Sequence, residues 1–240
     1  MSRLSSSSAA PTMAILAGGL STRLRPLTET IAKSMILVAG EPFIAHQLRM
    51  LAGQGIRDVV LLCGFQSQQI VNFVGNGAAF GCAVRYSFDG DVQRGTGGAI
   101  QQAMPLLGER FMVIYGDSYC PTDHRKIFDT FVASGKLGLM TIFPNQNRWD
   151  KSNVEFRNHR IVRYDKHHRT SEMQYIDYGI NVFSTGAFAG YAADATFDLA
   201  AVQVDLVNRE ELAGYVVSER FYEIGSHSGL AETDKFLSGL

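Results

Sequence analysis

The chain is organised around residues 14–35, "AILAGGLSTRLRPLTETIAKSM". An apolar start that ends in two glycines predicts a buried strand followed by a tight turn. Arg23, Arg25 and Lys33 then follow within one short irregular segment. The whole chain of 240 residues has a net charge of only −1, so this local cluster, rather than a global field, would attract an anion.

Outward from this stretch, apolar strand patterns alternate with helical patterns. Up to about residue 143 the order is strand, helix, strand, helix, strand, helix, strand, helix, strand. This alternation predicts an α/β fold with a doubly wound, mostly parallel, Rossmann-like sheet and helices on both faces. Such sheets bind ligands at the carboxyl ends of their strands, where residues 14–35 and the later "YGDSY" both lie.

After Phe143 the pattern changes. "SNVEFRNHRIVRYDK" predicts two strands around a turn, "MQYIDYGINVFST" predicts another strand, and a closing helix is expected from near Ser228. We expect a small mixed or antiparallel extension over one edge of the sheet. Residues 1–12 carry a serine run without an apolar segment, so we expect a disordered leader and not a secretory signal. A single domain is then expected over residues 13–240.

The composition excludes several classes of protein. A near-neutral charge predicts no binding of nucleic acid, and no apolar run approaches the length of a membrane span, so no membrane partner is expected. Cys63, Cys82 and Cys120 are far apart and form no CxxC pair, which argues against a disulfide framework or a zinc site. Buried thiols in the cytoplasm are the expectation.

The polar residues of the opening stretch suit a polyphosphate. Gly18 and Gly19 allow backbone N–H groups to approach a ligand closely. Arg23 offers a planar fork to phosphate oxygens and Lys33 offers a mobile point charge. The segment matches neither the Walker A loop nor the Rossmann fingerprint.

The run "LAGGLSTRLRPLT…AKSM" resembles the signature of the sugar-1-phosphate nucleotidylyltransferases, also called nucleotide-sugar pyrophosphorylases. That signature is approximately GGxGTRLRPLT followed by PKP, and the resemblance extends over nearly the whole chain. Three positions depart from it: Ser21 stands for a glycine, and Ala32 and Ser34 stand for two prolines. Arg23 and Lys33 are retained, and the resemblance implies that both are catalytic.

On the nucleotide side, the resemblance implies that Asp117 in "YGDSY" is catalytic and is the first Mg²⁺ ligand. Glu223 in "FYEIGSHSGL" stands where the family has the aspartate of its D-x-G motif, and would be the second metal ligand. "DGDVQRGTGGAI" resembles the family's E-x-P-L-G-T-A-G-A loop. The implied nucleotide-binding residues are Leu16, Ala17, Gly18, Gly19, Gly95, Thr96, Gly97 and Asp117.

On the sugar side, "RYDK" resembles the family's Glu-Lys pair. This implies that Asp165 contacts sugar hydroxyls and that Lys166, also catalytic, holds the sugar phosphate. "YIDYGINVF" resembles the family's NAGVYVF strand, so Asp177 and Gly179 would face the sugar, and Asn153 would add a hydrogen bond. For Asp177 and Asn153 an ordinary structural role stays open. The "HHR" tract and Trp149 are expected to be loop residues.

The resemblance implies a Mg²⁺-dependent transfer from a nucleoside triphosphate to a sugar 1-phosphate, which releases pyrophosphate. Residues 13–143 would form the nucleotide-binding half, and residues 144–240 the sugar-binding and closing half. Compact relatives include heptose-1-phosphate guanylyltransferases and MurNAc-1-phosphate uridylyltransferases, and GTP with a heptose 1-phosphate is the first expectation. UTP- or CTP-dependent transfer to another sugar, choline or phosphonate-type phosphate, and a catalytically silent nucleotide-sugar-binding subunit, remain alternatives. A homodimer also remains open.

Overall fold

A computed structural model describes residues 10–19, 22–90 and 92–240. Residues 1–9 of the predicted leader and Ser21 of the predicted signature lie outside the described residues. The first strand begins at Thr12, one residue before the predicted domain boundary. The Thr12 hydroxyl donates a 2.6 Å hydrogen bond to Asp58 on the neighbouring strand.

The described residues contain thirteen strands and six α-helices; through residue 143 they follow the predicted order, with three two-residue strands in addition. The strands are β1 (Thr12–Leu16), β2 (Leu37–Val38), β3 (Glu41–Pro42), β4 (Asp58–Cys63), β5 (Ala83–Phe88), β6 (Arg110–Tyr115), β7 (Ser118–Tyr119), β8 (Gly138–Phe143), β9 (Val154–Arg157), β10 (Arg160–Tyr164), β11 (Ile176–Ser184), β12 (Leu212–Val216) and β13 (Tyr222–Glu223). The helices are α1 (Phe43–Gly53), α2 (Ser67–Val74), α3 (Gly95–Leu107), α4 (His124–Ser134), α5 (Leu199–Asn208) and α6 (His227–Leu237).

The central sheet has seven strands in the order β12-β8-β11-β6-β1-β4-β5. Strand β11 is antiparallel to both of its neighbours, while every other pair in this sheet is parallel. Consecutive parallel strands are connected through helices, which is the connection that parallel pairing requires. The predicted doubly wound, mostly parallel α/β fold is therefore confirmed.

Helices cover both faces of the sheet because its strands are apolar on both sides. On β1, Met13 and Ile15 point into a core shared with α1, α2 and α4. Ala14, between them, points into a second core shared with α3 and α5. Each large side chain buried in this way contributes roughly 1.5–3 kcal/mol. The two cores fix the strand ends, and the loops at those ends have a rigid base.

The second half of the chain is built into the sheet more deeply than expected. Strand β11 does not lie over an edge but runs between β6 and β8, and β12 forms the outer edge. The buried run from Tyr178 to Phe183 explains this position, because it is apolar on both faces apart from Asn181. The β9–β10 hairpin forms a separate antiparallel extension, with Asn158 and His159 at positive φ in its turn.

The C-terminal segment returns to the site end of the sheet. Strand β13 pairs with β7 in antiparallel fashion, with Glu223 opposite Ser118. A third apolar cluster, which includes Leu24, Phe43 and Ile224, packs this segment beneath the opening loop. None of the helices within the described residues has the length and hydropathy needed to cross a membrane.

Candidate active site

A cavity of about 410 Å³ opens at the carboxyl ends of β1 and β6. It brings together most of the residues predicted for nucleotide binding and catalysis, which come from three separate segments of the chain. The predicted residues that line it are Leu16, Ala17, Gly18, Gly19, Arg23, Lys33, Gly95, Thr96 and Asp117.

Glycines allow the strand ends to approach each other at the floor of this cavity. The Gly116 N–H donates to the Leu16 carbonyl at 3.0 Å, and the Ala17 N–H donates to the Leu62 carbonyl at 2.8 Å. A Cβ atom added at Gly116 would lie 2.6 Å from the Leu16 oxygen, which real Cβ contacts do not tolerate. The glycine before Asp117 is therefore required by the close approach of β6 to β1.

Lys33 and Asp117 form an ion pair at the mouth of the cavity. Lys33 Nζ lies 2.6 Å from Asp117 Oδ2, and their side chains are 15% and 28% exposed. Lys33 begins a 3₁₀ turn after Ala32, whose φ of −59° and ψ of 138° resemble the backbone of a proline. The Ala32 N–H, which a proline would lack, donates to Gln69 at 3.1 Å. The departure from the signature at Ala32 thus keeps the turn and adds a hydrogen bond.

Glu223 approaches the same ion pair from the C-terminal segment. Its carboxylate accepts hydrogen bonds from the Gly225 N–H and from the Ser226 hydroxyl, the latter at 2.6 Å. A Cβ atom added at Gly225 would lie 2.6 Å from Glu223 Oε2, 3.0 Å from Lys33 Nζ and 3.2 Å from Arg23 Nη2. Gly225 therefore marks the point where two predicted cations and one predicted carboxylate converge.

The donor set at this point fits Mg²⁺. Asp117 directly precedes β7, Glu223 lies on its partner strand β13, and the Ile224 N–H donates to the Asp117 carbonyl at 2.9 Å. Mg²⁺ in phosphoryl-transfer sites is bound by one or two carboxylates together with substrate phosphates and water. The described residues contain no group of three or more His, Cys, Asp or Glu side chains suited to a metal ion. The arrangement therefore fits a metal shared with a phosphate ligand, not a site closed by protein groups.

Asp177, which was predicted to face the sugar, is partly buried on β11. Burial raises its pKa, while Lys166, the Gly179 N–H and the Gln203 and Tyr164 side chains act in the opposite direction. The Gly179 N–H donates at 3.0 Å, and Gly179 itself has a φ of +102° in the irregular part of β11.

Asn153 supports the Asp177 backbone. Its side-chain oxygen accepts from the Asp177 N–H at 3.0 Å. This contact is the structural role that the sequence left open for Asn153.

Lys166 is not among the residues that line the cavity, and it pairs with a residue that the sequence did not single out. Its Nζ lies 3.3 Å from Asp198 Oδ1 and 5.9 Å from the centre of the Tyr115 ring, which lines the cavity. The Tyr115 hydroxyl is buried and has no hydrogen-bond partner among the described residues. In the sequence, Asp198 precedes a helical pattern, a signal that identifies a helix N-cap but not an ion pair with Lys166.

Two predicted site residues are directed elsewhere. The Asp165 carboxylate accepts from the His167 and His168 N–H groups, both at 2.8 Å, and these bonds hold its pKa below the usual value. Gly97 does not line the cavity: its N–H donates to the Phe197 carbonyl at 2.9 Å, and a Cβ atom there would collide with the Phe197 ring. Asp165 therefore stabilises the turn that contains "HHR", and Gly97, which has no side chain, leaves space for the Phe197 ring.

Asp89 is a second carboxylate that sequence reasoning named only as the start of a loop. It lines the cavity and is half-buried at the end of β5. Burial raises the pKa of Asp89, and Arg94 partly offsets this effect. Cβ atoms added at Gly18 and Gly64 would lie 3.2 and 3.0 Å from its Oδ2, so both glycines leave room for the carboxylate. The sequence feature that could have identified Asp89 as a site residue is its position directly after a strand, which it shares with Asp117.

A cavity lined by cations and glycine backbone at the carboxyl edge of a doubly wound sheet is characteristic of nucleotide-binding α/β proteins. The family profile described as "Nucleotidyl transferase" matches residues 13–238, and the chain belongs to that family.

Two relatives are informative. An N-acetylmuramate alpha-1-phosphate uridylyltransferase of Neisseria meningitidis serogroup B is 38% identical over 117 residues, which cover 48% of this chain and 51% of that protein. A D-glycero-alpha-D-manno-heptose 1-phosphate guanylyltransferase of Aneurinibacillus thermoaerophilus is 26% identical over 216 residues, or 88% of this chain and 91% of that protein. The match thus spans about half of the first relative and nearly all of the second.

The fold matches solved structures over the full domain. HddC from Yersinia pseudotuberculosis, crystallised with GMP-PN, superposes with a TM-score of 0.78 over 95% of this chain and 99% of that chain. The two sequences are 21% identical, so this likeness concerns the fold.

Proposed function

We propose that this protein transfers a nucleoside monophosphate from a nucleoside triphosphate to a sugar 1-phosphate. The observation that carries the proposal is the convergence of Lys33, Asp117, Arg23 and Glu223 beside a glycine-lined cavity. In the reaction, an oxygen of the sugar phosphate forms a bond to the α-phosphorus. The bond from the α-phosphorus to the β-phosphate oxygen breaks, and pyrophosphate leaves with the electron pair.

The side chains would act by alignment and charge neutralisation. The phosphate nucleophile is already ionised near neutral pH, so no side-chain nucleophile or general base is required. Arg23 would bind the triphosphate and stabilise the departing pyrophosphate. Lys33 would move from Asp117 to the α-phosphate as charge develops there. Lys166, which lies near the Tyr115 ring, would hold the incoming sugar phosphate.

Asp117 and Glu223 would hold Mg²⁺. When bound, the ion would neutralise phosphate oxygens and favour an in-line arrangement of the reacting groups. The free, buried state of Cys63, Cys82 and Cys120 supports a reducing compartment, and we place the reaction in the cytoplasm.

Asp89 favours GTP as the nucleotide. Its carboxylate faces the cavity and accepts no hydrogen bond from a side chain within the described residues. Guanine presents adjacent N1–H and N2–H donors, which match the two oxygens of a carboxylate. Uracil and thymine present a single N–H between two carbonyl oxygens, which a carboxylate would repel. The relative matched over 88% of this chain is named as a guanylyltransferase, and a heptose 1-phosphate is the first acceptor to test.

The test is pyrophosphate release with five nucleotides, ATP, GTP, CTP, UTP and dTTP, each combined with a panel of sugar 1-phosphates and Mg²⁺. We expect the highest rate with GTP and a heptose 1-phosphate, and loss of the reaction with EDTA. A preferred UTP or CTP, or turnover with phosphocholine or a phosphonate, would overturn the GTP assignment but keep the reaction class. Nucleotide binding without turnover in any combination would indicate a silent binding subunit.

An Asp89→Asn variant tests recognition of the nucleobase separately from the chemical step. We expect its kcat/KM with GTP to fall about tenfold or more, because one amide nitrogen would face the guanine donors. The rates with UTP should change less. An equal loss with all nucleotides would contradict the role of Asp89 in base selection.

A further inference from the structure

Lys166 forms its ion pair with Asp198 and not with Asp165, its neighbour in the sequence. We infer that Asp198, and not Asp165, is the residue that positions Lys166 for the sugar phosphate. This inference rests on the proposed function.

Lys166 is held at two points. Its Nζ lies 3.3 Å from Asp198 Oδ1, and the ammonium lies 5.9 Å from the centre of the Tyr115 ring. The Lys166 side chain is 34% exposed, so it is partly packed and partly accessible. A lysine ammonium has three donors on a flexible stem, and one ion pair can fix its direction while leaving donors for a phosphate.

Asp198 is itself fixed. It caps α5 by accepting from the Ala200 N–H at 2.8 Å. The Thr96 hydroxyl oxygen accepts from the Leu199 N–H at 2.8 Å, and the Thr96 side chain contributes to the lowered pKa of Asp198. Burial alone would raise that pKa, but Lys166 and the hydrogen bonds outweigh it. The carboxylate is therefore charged and anchored next to the nucleotide loop.

The anchoring continues through the backbone. The Gly97 and Gly98 N–H groups donate to the Phe197 carbonyl at 2.9 and 3.2 Å, and the Phe197 N–H donates to the Arg94 carbonyl at 3.0 Å. The start of α5 is thus attached to the start of α3, which carries Thr96 in the cavity wall. Asp198 connects the lysine of the sugar side to the loop of the nucleotide side.

Asp165 cannot serve in this way in the observed arrangement. Its Oδ1 already accepts from two backbone N–H groups of its own turn, at 2.8 Å each. Its Oδ2 lies 3.7 Å from Arg163 and 3.6 Å from His168. These contacts hold the carboxylate at the hairpin exit, where it faces Arg163 and His168 rather than Lys166.

The test compares Asp198→Asn with Asp165→Asn. Asparagine caps helices as well as aspartate, so Asp198→Asn removes the charge and keeps α5. We expect the KM for D-glycero-α-D-manno-heptose 1-phosphate to rise about fivefold in Asp198→Asn, with the KM for GTP changing by less than about twofold. Asp165→Asn should have the smaller effect on this KM. Asp123→Asn is the matched control, because Asp123 caps α4 in the same way through the Lys126 N–H at 2.9 Å.

A double-mutant cycle tests whether Asp198 acts through the lysine. In a Lys166→Met background, Asp198→Asn should add no further loss. An additional loss there, an unchanged or lower sugar KM in Asp198→Asn, or a larger effect of Asp165→Asn would each overturn the inference.

A second measurement does not depend on turnover. Limited acylation followed by mass spectrometry should modify Lys166 about threefold to fivefold faster in Asp198→Asn than in the unmodified sequence, with no such change in Asp165→Asn. Equal rates in all three proteins would contradict the inference. If no sugar phosphate reacts in the unmodified protein, the proposed function fails, and the acylation rates still decide the role of Asp198.

Discussion

Residues 13–143 and residues 144–240 bring their polar groups to the candidate site in different ways. In the first half, Asp117 follows the end of β6, and Lys33 begins a 3₁₀ turn in the long loop after β1; the two are 84 positions apart and meet at 2.6 Å. In the second half, Asp165 precedes Lys166 in the chain, yet Lys166 meets Asp198 across 32 positions. Short sequence motifs identify functional residues that lie near the end of a rigid strand. They do not identify an ion pair that forms only when a hairpin packs against a helix.

The largest expected effect tests the first half. Lys33→Ala and Asp117→Ala should each reduce turnover by about 100-fold or more, because each removes a charge that would neutralise the reacting phosphates. Circular dichroism and thermal unfolding should show that the fold is retained. Arg49→Met, which removes an exposed ion pair with Glu41, is the control and should leave turnover unchanged. Near-normal turnover in either alanine variant would remove that residue from the mechanism.

The next effect tests how the C-terminal segment meets the first half. Gly225→Ala places a methyl group 2.6 Å from Glu223 Oε2 and 3.0 Å from Lys33 Nζ. Turnover should fall about tenfold, because both groups must shift away from the proposed phosphate site. Gly53→Ala is the control, since a Cβ atom at Gly53 meets nothing within 4 Å. Equal activity in both variants would mean that the convergence at Gly225 has no role.

The two halves should also respond to acid at different pH. His124, on α4, is buried against Gln54, and burial lowers its pKa from 6.5 to about 4. The unfolded chain then binds the proton first, so stability is lost as pH falls from about 6.5 to about 4, by up to roughly 3 kcal/mol. Asp165 has a pKa lowered below 3.8 by the two N–H groups, so its contribution is lost only at lower pH.

Urea unfolding between pH 3 and 8 measures this difference. His124→Asn should flatten the upper part of the stability profile, whereas Asp165→Asn should change only the acid end. A profile for His124→Asn that is parallel to that of the unmodified protein would show that His124 does not control the response.

The smallest expected effect concerns Trp149. Arg220 stacks on it, with the guanidinium carbon 3.5 Å from the ring centre, and also pairs with Glu232. Trp149→Ala should therefore change the KM for the sugar 1-phosphate by less than about twofold, whereas direct stacking of Trp149 on the sugar would make the increase in KM larger. Trp149 is the single tryptophan, so its fluorescence should respond to Arg220→Met and not to the sugar phosphate.

Much of the fold follows from local patterns. The alternation of apolar strands and amphipathic helices predicted the parallel sheet, and the strand ends predicted where the cavity lies. The position of β11 in the middle of the sheet did not follow, because an apolar run buried on both faces has the same pattern in a central parallel strand and in a central antiparallel one. Its direction depends on the connections before and after it.

The sequence by itself determined the fold class, the family and the segment that carries Arg23 and Lys33, because strand periodicity and a contiguous motif are properties of neighbouring residues. Only the tertiary structure decided which carboxylate meets Lys166, that Gly97 makes room for Phe197, and that Asp89 faces the cavity. The physical reason is that these contacts join segments far apart in the chain. Their side-chain directions are set by packing and by competing backbone N–H groups, as the two amides that hold Asp165 illustrate.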